Sequence, residues 1–475
     1  MRRYFYHLLG AALISLNAIG QSPSASIALW KNNAKGAYSV IHDDYGDAGV
    51  DGIWQYADTM YFNRSLKFTF GAITSACEAT RAIKSYNSPY AYAKTVMIGQ
   101  HHHEIINHSH THTCSLNRGW SPCDVTGWGE DVGSPEWDMQ LATSNQSIID
   151  NTNSTPRFFI YPYDQFTDTA NSALAAMGYI GSRTGWHIDG AQRPYPRWGY
   201  ETNDLSDFYP NKDGFFRTSV QVFDDVDRAK NDAGQISALN VTVDTAIMYG
   251  GWCNRELHNV GNSGWGAVRV APYRSHLNYV KSKVNSGDLW VGTVSEILTY
   301  QMQKLKFTPS AFYDNISMIT TVTFANAHPE IDVDVATYLA PLEIKTSATV
   351  IVDMDGMDEA WVVMQNNTNI TDFTKKNGKL YINVYPHLGP LQIFKSSLTS
   401  VYENAVTQRK LYPNPAVNEL HIEGNVYQAT IYDVQGMQVK QASNNTIDIS
   451  DLNDGVYMVK IDASPVYFKF VKCTK

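Results

Sequence analysis

"AYSVIHDD", residues 37–44, decides the fold because its apolar run is the first of a series of strand-like segments, each followed by a helix-like one. The run ends in a pair of carboxylates, Asp43 and Asp44. The run is typical of a buried strand, and the following "VDGIWQYADTMYFN" at 50–63 is typical of a helix. A second strand follows at 65–73 ("SLKFTFGAI"), then a helix at 90–100 ("YAYAKTVMIGQ") and a third strand in "HEIINHS" at 103–109. Repeated strand-then-helix units predict a parallel sheet or barrel, and therefore an α/β fold class.

The strand-then-helix rhythm continues to about residue 305 and then changes. Short strands such as "SMITTVTFANA" at 317–327 and "KLYINVYPHLGPLQIF" at 379–394 are separated by Asn, Gly and Pro turns, which indicates a β-sandwich. A polar stretch precedes another small all-β unit near the end of the chain. We therefore predict a barrel at 25–305, a β-sandwich accessory domain at 306–398, a linker at 399–408 and a second small all-β domain at 409–475.

The N-terminus and the charge limit where the protein works. Arg2 and Arg3 precede an apolar run of signal-peptide length, so we predict a signal peptide at 1–20 and export of the protein. No later stretch reaches about 18 apolar residues, so we expect no transmembrane helix. The net charge of −9 is spread without long runs, and nothing resembles a nucleic-acid surface.

The chain has five cysteines. In an exported protein, Cys114 and Cys123 are close enough in sequence to bridge a small loop, whereas the pairing of the others cannot be deduced. The odd count leaves at least one thiol free. No Cys/His zinc-finger spacing occurs, so any metal is not held by thiolates.

Asp43 and Asp44 stand at the carboxyl end of the first predicted strand. Adjacent side chains on a strand point to opposite faces, so we expect the two carboxylates to have different tasks. One can hold a metal while the other takes a proton. An Asp pair in a loop is more often a turn or a helix cap, and only a partner elsewhere in the chain favours the metal.

Histidines supply that partner in "HEIINHSHTH", residues 103–112. His108 and His112 are four residues apart, which places both imidazoles on one side if the loop coils, with His110 pointing away. In an extended loop all three would share a face, and this alternative stays open.

The first part of the histidine run carries less information. His103 and Glu104 begin like the HExxH motif of zinc proteases, but Asn107 stands where the second His is required, which excludes that class. We interpret His101, His102 and His103 as exposed helix-end or loop residues rather than ligands.

The last 65 or so residues resemble the C-terminal sorting domain of the type IX secretion system. The matching features are "YPNP" at 412–415, "YDVQGMQV" at 432–439, "ISDLNDGVYMVKI" at 449–461 and the terminal "VKCTK". The resemblance implies the type IX secretion machinery as a partner, and passage across the outer membrane of a Gram-negative bacterium to a secreted or cell-surface location. The alternative is an ordinary extra β-module.

A second resemblance covers residues 35–305. The order of Asp43-Asp44, the motif from His103 to His112, Pro162-Tyr163, Arg183-Thr184 and Leu257-His258 resembles the polysaccharide deacetylases with a NodB-like domain. It implies a deformed (β/α) barrel of the polysaccharide deacetylase type and one divalent metal ion, usually Zn²⁺. By that resemblance the metal ligands are Asp44, His108 and His112, the general base is Asp43, the general acid is His258, and the backbone N–H of Tyr163 stabilises the oxyanion.

The chain departs from the family pattern at four positions. His42 replaces the usual Phe before the Asp pair, and Tyr45 stands where Gly normally follows directly. Ile160 occupies the place of an Arg that commonly orients the catalytic Asp, and Asp164 the place of a Gly. Arg183, from the next predicted strand, is therefore the candidate to orient Asp43.

The predicted function is a secreted, metal-dependent hydrolase that removes N- or O-acetyl groups from an acetylated polysaccharide by attack of a metal-bound water. Two alternatives remain: a carbohydrate-binding protein on a degenerate deacetylase scaffold, and an amide hydrolase for a non-sugar substrate. Binding alone needs neither a base nor an acid, so the retained Asp43 and His258 favour the enzyme. A serine hydrolase is the main chemical rival, but no GxSxG motif occurs, which disfavours it.

Overall fold

The computed structural model describes residues 23–117, 119, 121–124, 127–183, 216, 218, 220–327, 346–354, 360–396, 410–423, 428–433, 437–461 and 467–474. The predicted signal peptide, Thr184 and the predicted linker lie outside the described residues. The chain divides into two compact units, Met1–Met357 with Val363–Gln392, and Asp358–Val362 with Ile393–Lys475. Within the described ranges, no helix is both long enough and apolar enough to cross a membrane.

The first part of the chain, up to residue 306, alternates strands with helices. The strands are β1 (Ser24–Ile27), β2 (Gly36–Tyr45), β3 (Thr69–Ala72), β4 (Glu104–Asn107), β5 (Phe158–Ile160), β6 (Gly181–Arg183), β7 (Gln221–Val222), β8 (Trp252–Leu257) and β9 (Leu289–Val291). The α-helices are α1 (Asp58–Phe62), α2 (Thr74–Glu78), α3 (Pro89–Tyr92), α4 (Pro135–Asp138), α5 (Ser144–Thr152), α6 (Asp168–Ala176), α7 (Asp225–Arg228), α8 (Asp232–Tyr249), α9 (Val270–Asn285) and α10 (Val294–Lys306). Short π-helical segments at Ile53–Ala57, Ala93–Ile98 and Met139–Thr143 adjoin α1, α3 and α4.

One parallel sheet organises these elements, in the order β6-β5-β4-β3-β2-β8-β7, with β9 paired to β2. In β2 every residue but Asp44 is buried, as expected for a strand covered on both faces. Parallel strands end on the same edge, so the loops after β2, β4, β5 and β8 meet there. The predicted α/β fold with a barrel-type parallel sheet is confirmed.

The all-β region that follows is also confirmed. Its strands are β10 (Phe307–Asp314), β11 (Ile319–Asn326), β12 (Ala348–Asp353), β13 (Trp361–Gln365), β14 (Thr368–Asn369), β15 (Phe373–Lys376), β16 (Lys379–Val384) and β17 (Leu391–Lys395). The β1 strand, at the start of the predicted barrel, pairs antiparallel with β12 in the sheet β1-β12-β16-β15. The predicted boundary at 305 falls one residue before the end of α10, and the chain shows no compact division there, so the domain boundaries stay predictions.

The second unit contains the C-terminal all-β fold. Its strands are β18 (Leu411–Tyr412), β19 (Glu419–Ile422), β20 (Ala429–Tyr432), β21 (Gln438–Ala442), β22 (Thr446–Asp448), β23 (Gly455–Ile461) and β24 (Tyr467–Lys472). They form two sheets, β18-β19-β22 and β21-β20-β23-β24. Alternate residues such as Ile431, Val459 and Phe470 are fully buried and supply a core of their own.

Candidate metal centre and active site

Asp44, His108 and His112 meet at the carboxyl edge of the parallel sheet. The Nε2 atoms of both histidines lie 3.2 Å from the same carboxylate oxygen, Oδ1 of Asp44. A zinc ion with tetrahedral ligands at about 2.0–2.1 Å requires the ligand atoms to be about 3.3 Å apart. Oδ1 of Asp44 is buried and accepts no hydrogen bond from any described residue. The donor set and its spacing therefore fit one divalent ion.

Local backbone geometry produces this convergence. The β2–β3 register shifts between His42 and Tyr45, and Asp44 adopts a left-handed conformation with φ +64°. In the loop after β4, Ser109 and His112 also have positive φ values of 64° and 60°. Non-glycine residues rarely adopt such angles. Residues that do adopt them are held in place by the surrounding structure and are found most often at functional sites.

The histidine loop is fixed by hydrogen bonds at each turn. Nδ1 of His108 donates to the carbonyl oxygen of Ile160 at 3.0 Å, which leaves Nε2 free to act as a ligand. Oγ of Ser109 accepts the His112 backbone N–H at 3.1 Å. His110 points away and meets Oγ1 of Thr74 at 2.7 Å. The structure thus has the coiled arrangement of the loop and not the extended alternative.

Asp43 lies beside the centre and is held by Arg183. The guanidinium contacts both carboxylate oxygens, at 2.8 and 2.5 Å, and both side chains are about 2% exposed. Burial alone would raise the pKa of Asp43, but the charge of Arg183 and its hydrogen bonds hold the pKa below its usual value. Asp43 is therefore an ionised, oriented carboxylate.

The expectation that the two carboxylates point to opposite faces is wrong. Nε2 of His108 lies 3.9 Å from Oδ2 of Asp43 and 3.2 Å from Oδ1 of Asp44, so both carboxylates reach the same imidazole. The physical reason is the irregularity at the end of β2, where the left-handed Asp44 breaks the alternation of a regular strand.

His258 completes the group from the end of β8. Its Nε2 lies 3.8 Å from Oδ2 of Asp44 and 3.9 Å from Oε1 of Glu256. The backbone is fixed by His42, whose Nδ1 donates to the His258 carbonyl at 2.8 Å while its Nε2 accepts from the Tyr273 hydroxyl at 2.7 Å. Burial lowers the pKa of His42 to about 4, so it stays neutral. The presence of His42, where the family pattern usually has Phe, is thereby explained: its imidazole supports the loop that carries His258.

Two carboxylates at the site were not predicted. Arg183 lies 3.2 Å from Oδ1 of Asp164 and 3.3 Å from Oε2 of Glu256, in addition to Asp43. Burial is the main cause that raises the pKa of Asp164 and, much further, that of Glu256. Glu256 could have been found from its position two residues before His258, because side chains at positions i and i+2 of a strand lie on the same face. Asp164 has φ +57°, which suits a position where Gly is usual.

Aromatic side chains border the centre. Tyr163, φ +56°, packs against His112 with ring centroids 4.7 Å apart and is 39% exposed. Trp265, 49% exposed, packs against His258 at the same centroid distance and at 81°. The predicted Cys114–Cys123 disulfide closes the loop just after His112, while Cys77, Cys253 and Cys473 are free thiols.

A second Asp/His group lies elsewhere in the fold. His103 is 3% exposed, so the interpretation of His101–His103 as exposed residues is wrong for it. Oδ1 of Asp58 meets Nδ1 of His101 at 2.5 Å and Nε2 of His103 at 3.3 Å, and the Tyr92 hydroxyl donates to Oδ2. A separation of 2.5 Å is a hydrogen-bond distance and leaves no room for an ion between the two atoms. Nδ1 of His103 has no hydrogen-bond partner among the described residues, but the short contact between Asp58 and His101 makes this group a hydrogen-bonded network rather than a metal site.

Comparisons with known proteins agree with the two resemblances. Residues 46–181 match the family model "Polysaccharide deacetylase", and residues 410–470 match "Secretion system C-terminal sorting domain". The two resemblances inferred from the sequence, to the polysaccharide deacetylases and to the sorting domain, are thereby confirmed. The first match supports a hydrolase, but it begins after Asp43 and Asp44 and ends before Arg183, so the roles of these residues rest on geometry.

Among solved structures, an acetyl xylan esterase of family 4 from Clostridium thermocellum, in complex with a cobalt ion, is 16% identical; the match covers 55% of this chain and 90% of that chain with a TM-score of 0.33. A peptidoglycan N-acetylglucosamine deacetylase is 12% identical, with 56% and 89% covered and a TM-score of 0.33. A CE4 family pseudoenzyme from Bacillus anthracis is 15% identical, with 56% and 66% covered and the same TM-score. No curated protein matches the chain.

Proposed function

We propose that this protein is a metal-dependent deacetylase that hydrolyses the N- or O-acetyl groups of a glycan. The observation that carries the proposal is the spacing of Asp44, His108 and His112, which fits a tetrahedral ion, beside an ionised Asp43 and a His258 within 4 Å of Asp44. The match to the deacetylase family model supports the same reaction class.

Asp44, His108 and His112 would hold one divalent ion, with Zn²⁺ as our proposal for its identity. Three protein ligands leave an open position, as a catalytic zinc site requires. When bound, such an ion makes a water more acidic and polarises an acyl oxygen. Nδ1 of His108 is occupied by the Ile160 carbonyl, so its Nε2 is presented to the ion in a fixed orientation.

The chain's own groups would move the protons. Asp43 accepts the proton of the attacking water, because Arg183 keeps its carboxylate ionised and oriented. Water oxygen bonds to the acetyl carbon, and the backbone N–H of Tyr163 stabilises the developing oxyanion. His258 gives a proton to the departing nitrogen or oxygen as the acyl bond breaks. Acetate and a free amine or hydroxyl are the products.

Location follows from the C-terminal unit. The sorting domain at 410–470 indicates a secreted or cell-surface protein. We propose that the type IX machinery carries it across the outer membrane, after a signal peptide at 1–20 has directed its export. An exported deacetylase meets polymers, so the proposed substrate is an acetylated polysaccharide. Deletion of residues 410–475 should abolish appearance of the enzyme at the cell surface and in the medium, as followed by immunoblotting of cell fractions.

Acetate release tests the reaction. Purified protein loaded with Zn²⁺ is incubated with acetylated chitin oligosaccharides, peptidoglycan glycan and acetylated xylan, and acetate is measured. We expect release from at least one glycan, a loss of about 100-fold or more in Asp43→Asn, and none after chelation.

The same loop offers a matched control for the ligand assignment. His112→Ala should lose both bound zinc and activity, whereas His110→Ala, whose imidazole meets Thr74, should keep both. Absence of acetate from every glycan, with zinc bound at one ion per chain and one glycan still bound tightly, would favour the carbohydrate-binding alternative and end the enzyme proposal.

A further inference from the structure

Trp265 stands beside the proposed acid His258 with no evident role in the packing of the core. The two ring centroids are 4.7 Å apart and the planes meet at 81°. About half of the indole, 49%, is exposed, although Trp is among the most apolar and largest side chains. Single exposed apolar side chains are common on proteins, but Trp265 differs from most of them because its ring contacts a histidine of the candidate site.

The backbone around Trp265 is shaped to present it. Gly264 and Gly266, on either side, have φ values of +98° and +56°, in the region that favours glycine. A Cβ at position 266 would lie 2.2 Å from the carbonyl oxygen of Phe223, so only glycine fits there. The N–H of Gly266 donates to Oδ1 of Asp225 at 3.0 Å, which ties the loop to the start of α7.

Further bonds fix the base of the same loop. Asn259 accepts the N–H of Gly52 at 2.9 Å through Oδ1 and donates through Nδ2 to the carbonyl of Ser263 at 2.8 Å. Backbone bonds from Gly261 to Val268 and from Val268 to Asn259 close the loop at 2.8 and 3.0 Å. These hydrogen bonds hold the loop that carries the exposed ring of Trp265 in one conformation.

A second exposed ring lies on the other side of the centre. Tyr163 packs against His112 and follows β5, whereas Trp265 follows β8. In the sheet, β4, β3 and β2 lie between β5 and β8, and the ends of β2 and β4 carry Asp44 and lead to His108. In strand order, the two rings therefore lie on either side of the strands that carry Asp44 and lead to His108.

We propose that Trp265 is the platform for a second sugar ring of the substrate, the ring next along the chain from the one that carries the acetyl group. This inference rests on the proposed function. The leaving group must face the His258 imidazole, so the ring beyond it lies over the adjacent indole. A pyranose offers a flat face of C–H groups with hydroxyls at its edge, which suits a large apolar ring. The enzyme should therefore prefer oligosaccharides to small acetyl esters.

Chain-length dependence tests the inference. Acetylated oligosaccharides of two to six sugars, from the glycan that the wild type deacetylates, are compared with p-nitrophenyl acetate as a substrate without sugar. In the wild type, kcat/KM should rise once the chain is long enough to reach Trp265. In Trp265→Ala, the ratio of kcat/KM for the longest oligomer to that for the ester should fall about tenfold, equivalent to about 1.4 kcal/mol. Most of the fall should appear in KM, and Trp265→Phe should retain most of the ratio.

Control variants separate the possible failures. Phe312→Ala removes another exposed ring, in β10, and should leave the ratio unchanged. If Trp265→Ala is poorly folded, Trp265→Gln keeps a long side chain without the ring and serves the same comparison. If the ratio of kcat/KM values in Trp265→Ala lies within twofold of the wild-type ratio, the inference is overturned. An equal loss of kcat/KM on both substrates, together with a shifted pH profile, also overturns it, because that result would mean that Trp265 shields His258 from solvent. If the wild type deacetylates no glycan, the proposed function itself fails.

Discussion

Arg183 is the residue whose replacement tests the site most directly. Its guanidinium is 2% exposed and lies within 3.3 Å of carboxylate oxygens of Asp43, Asp164 and Glu256. In Arg183→Met the three carboxyl groups, two of them buried, lose their only shared cation among the described residues. Removal of one partner from a buried ion pair costs about 3–5 kcal/mol, so we expect the free energy of unfolding to fall by at least about 3 kcal/mol.

Activity should separate charge from orientation. Arg183→Lys keeps the positive charge but cannot contact both oxygens of Asp43 in a planar fork, so a fixed base becomes a mobile one. We expect kcat/KM for acetate release to fall about 100-fold in Arg183→Lys and about 1,000-fold or more in Arg183→Met, within the range that a positioned base supplies. The fall should lie in kcat, since Arg183 is a positioning residue buried behind Asp43.

The assay combines acetate release, bound zinc and urea unfolding on the same preparations. Asp164→Asn is the matched control, because it removes one acceptor of Arg183 without touching Asp43, and its kcat should stay within about fivefold of the wild type, far below the range for loss of a base. If Arg183→Lys binds one zinc per chain and retains full kcat, Asp43 does not depend on the fork and the reasoning is refuted.

Three further predictions concern stability and metal binding. Replacing Cys114 and Cys123 by Ser opens a loop with a sequence separation of 9 and should lower the free energy of unfolding by about 2–3 kcal/mol in urea; unchanged stability would contradict the loop-entropy argument. Burial, aided by the charge of Arg255, lowers the pKa of His276 to about 3. As the pH falls below about 6.5, His276 is therefore protonated in the unfolded chain but not in the folded one. The free energy of unfolding then decreases by about 1.4 kcal/mol per pH unit. His276→Gln should therefore lose about 2 kcal/mol less than the wild type between pH 7 and pH 5 in urea titrations; parallel losses would show that His276 is protonated in the native state. Asp44→Asn should lose bound zinc whereas Asp58→Asn should keep it, and equal loss in both would mean that the Asp58 group also holds metal.

Local spacing predicted a coiled histidine loop as one of two alternatives, the other being an extended loop. The four-residue interval between His108 and His112 describes a coiled loop, and Ser109 and Asn107 supply the bonds that coil it. The exposure of His103 could not be predicted in the same way. Its partner Asp58 is 45 residues away in sequence, and only the tertiary fold brings α1 next to His103, the residue before β4. A histidine beside a carboxylate is a ligand or a hydrogen-bond donor according to a distance that the sequence does not contain.

The relation of Arg183 to Asp43 depends on curvature of the sheet. Arg183 ends β6 and Asp43 lies in β2, four positions away in the strand order β6-β5-β4-β3-β2. In a flat sheet, four strand spacings would separate them by about 19 Å, far beyond the reach of one side chain. The observed contacts at 2.5 and 2.8 Å therefore require the sheet to curve until β6 faces β2 across the interior. The same curvature brings Glu256 of β8 to Arg183. Curvature is a property of the whole sheet. The strands and the Asp pair at the end of β2 could therefore be predicted from local patterns, and the proposed ligand set from the family resemblance, whereas the three-carboxylate environment of Arg183 could not be predicted.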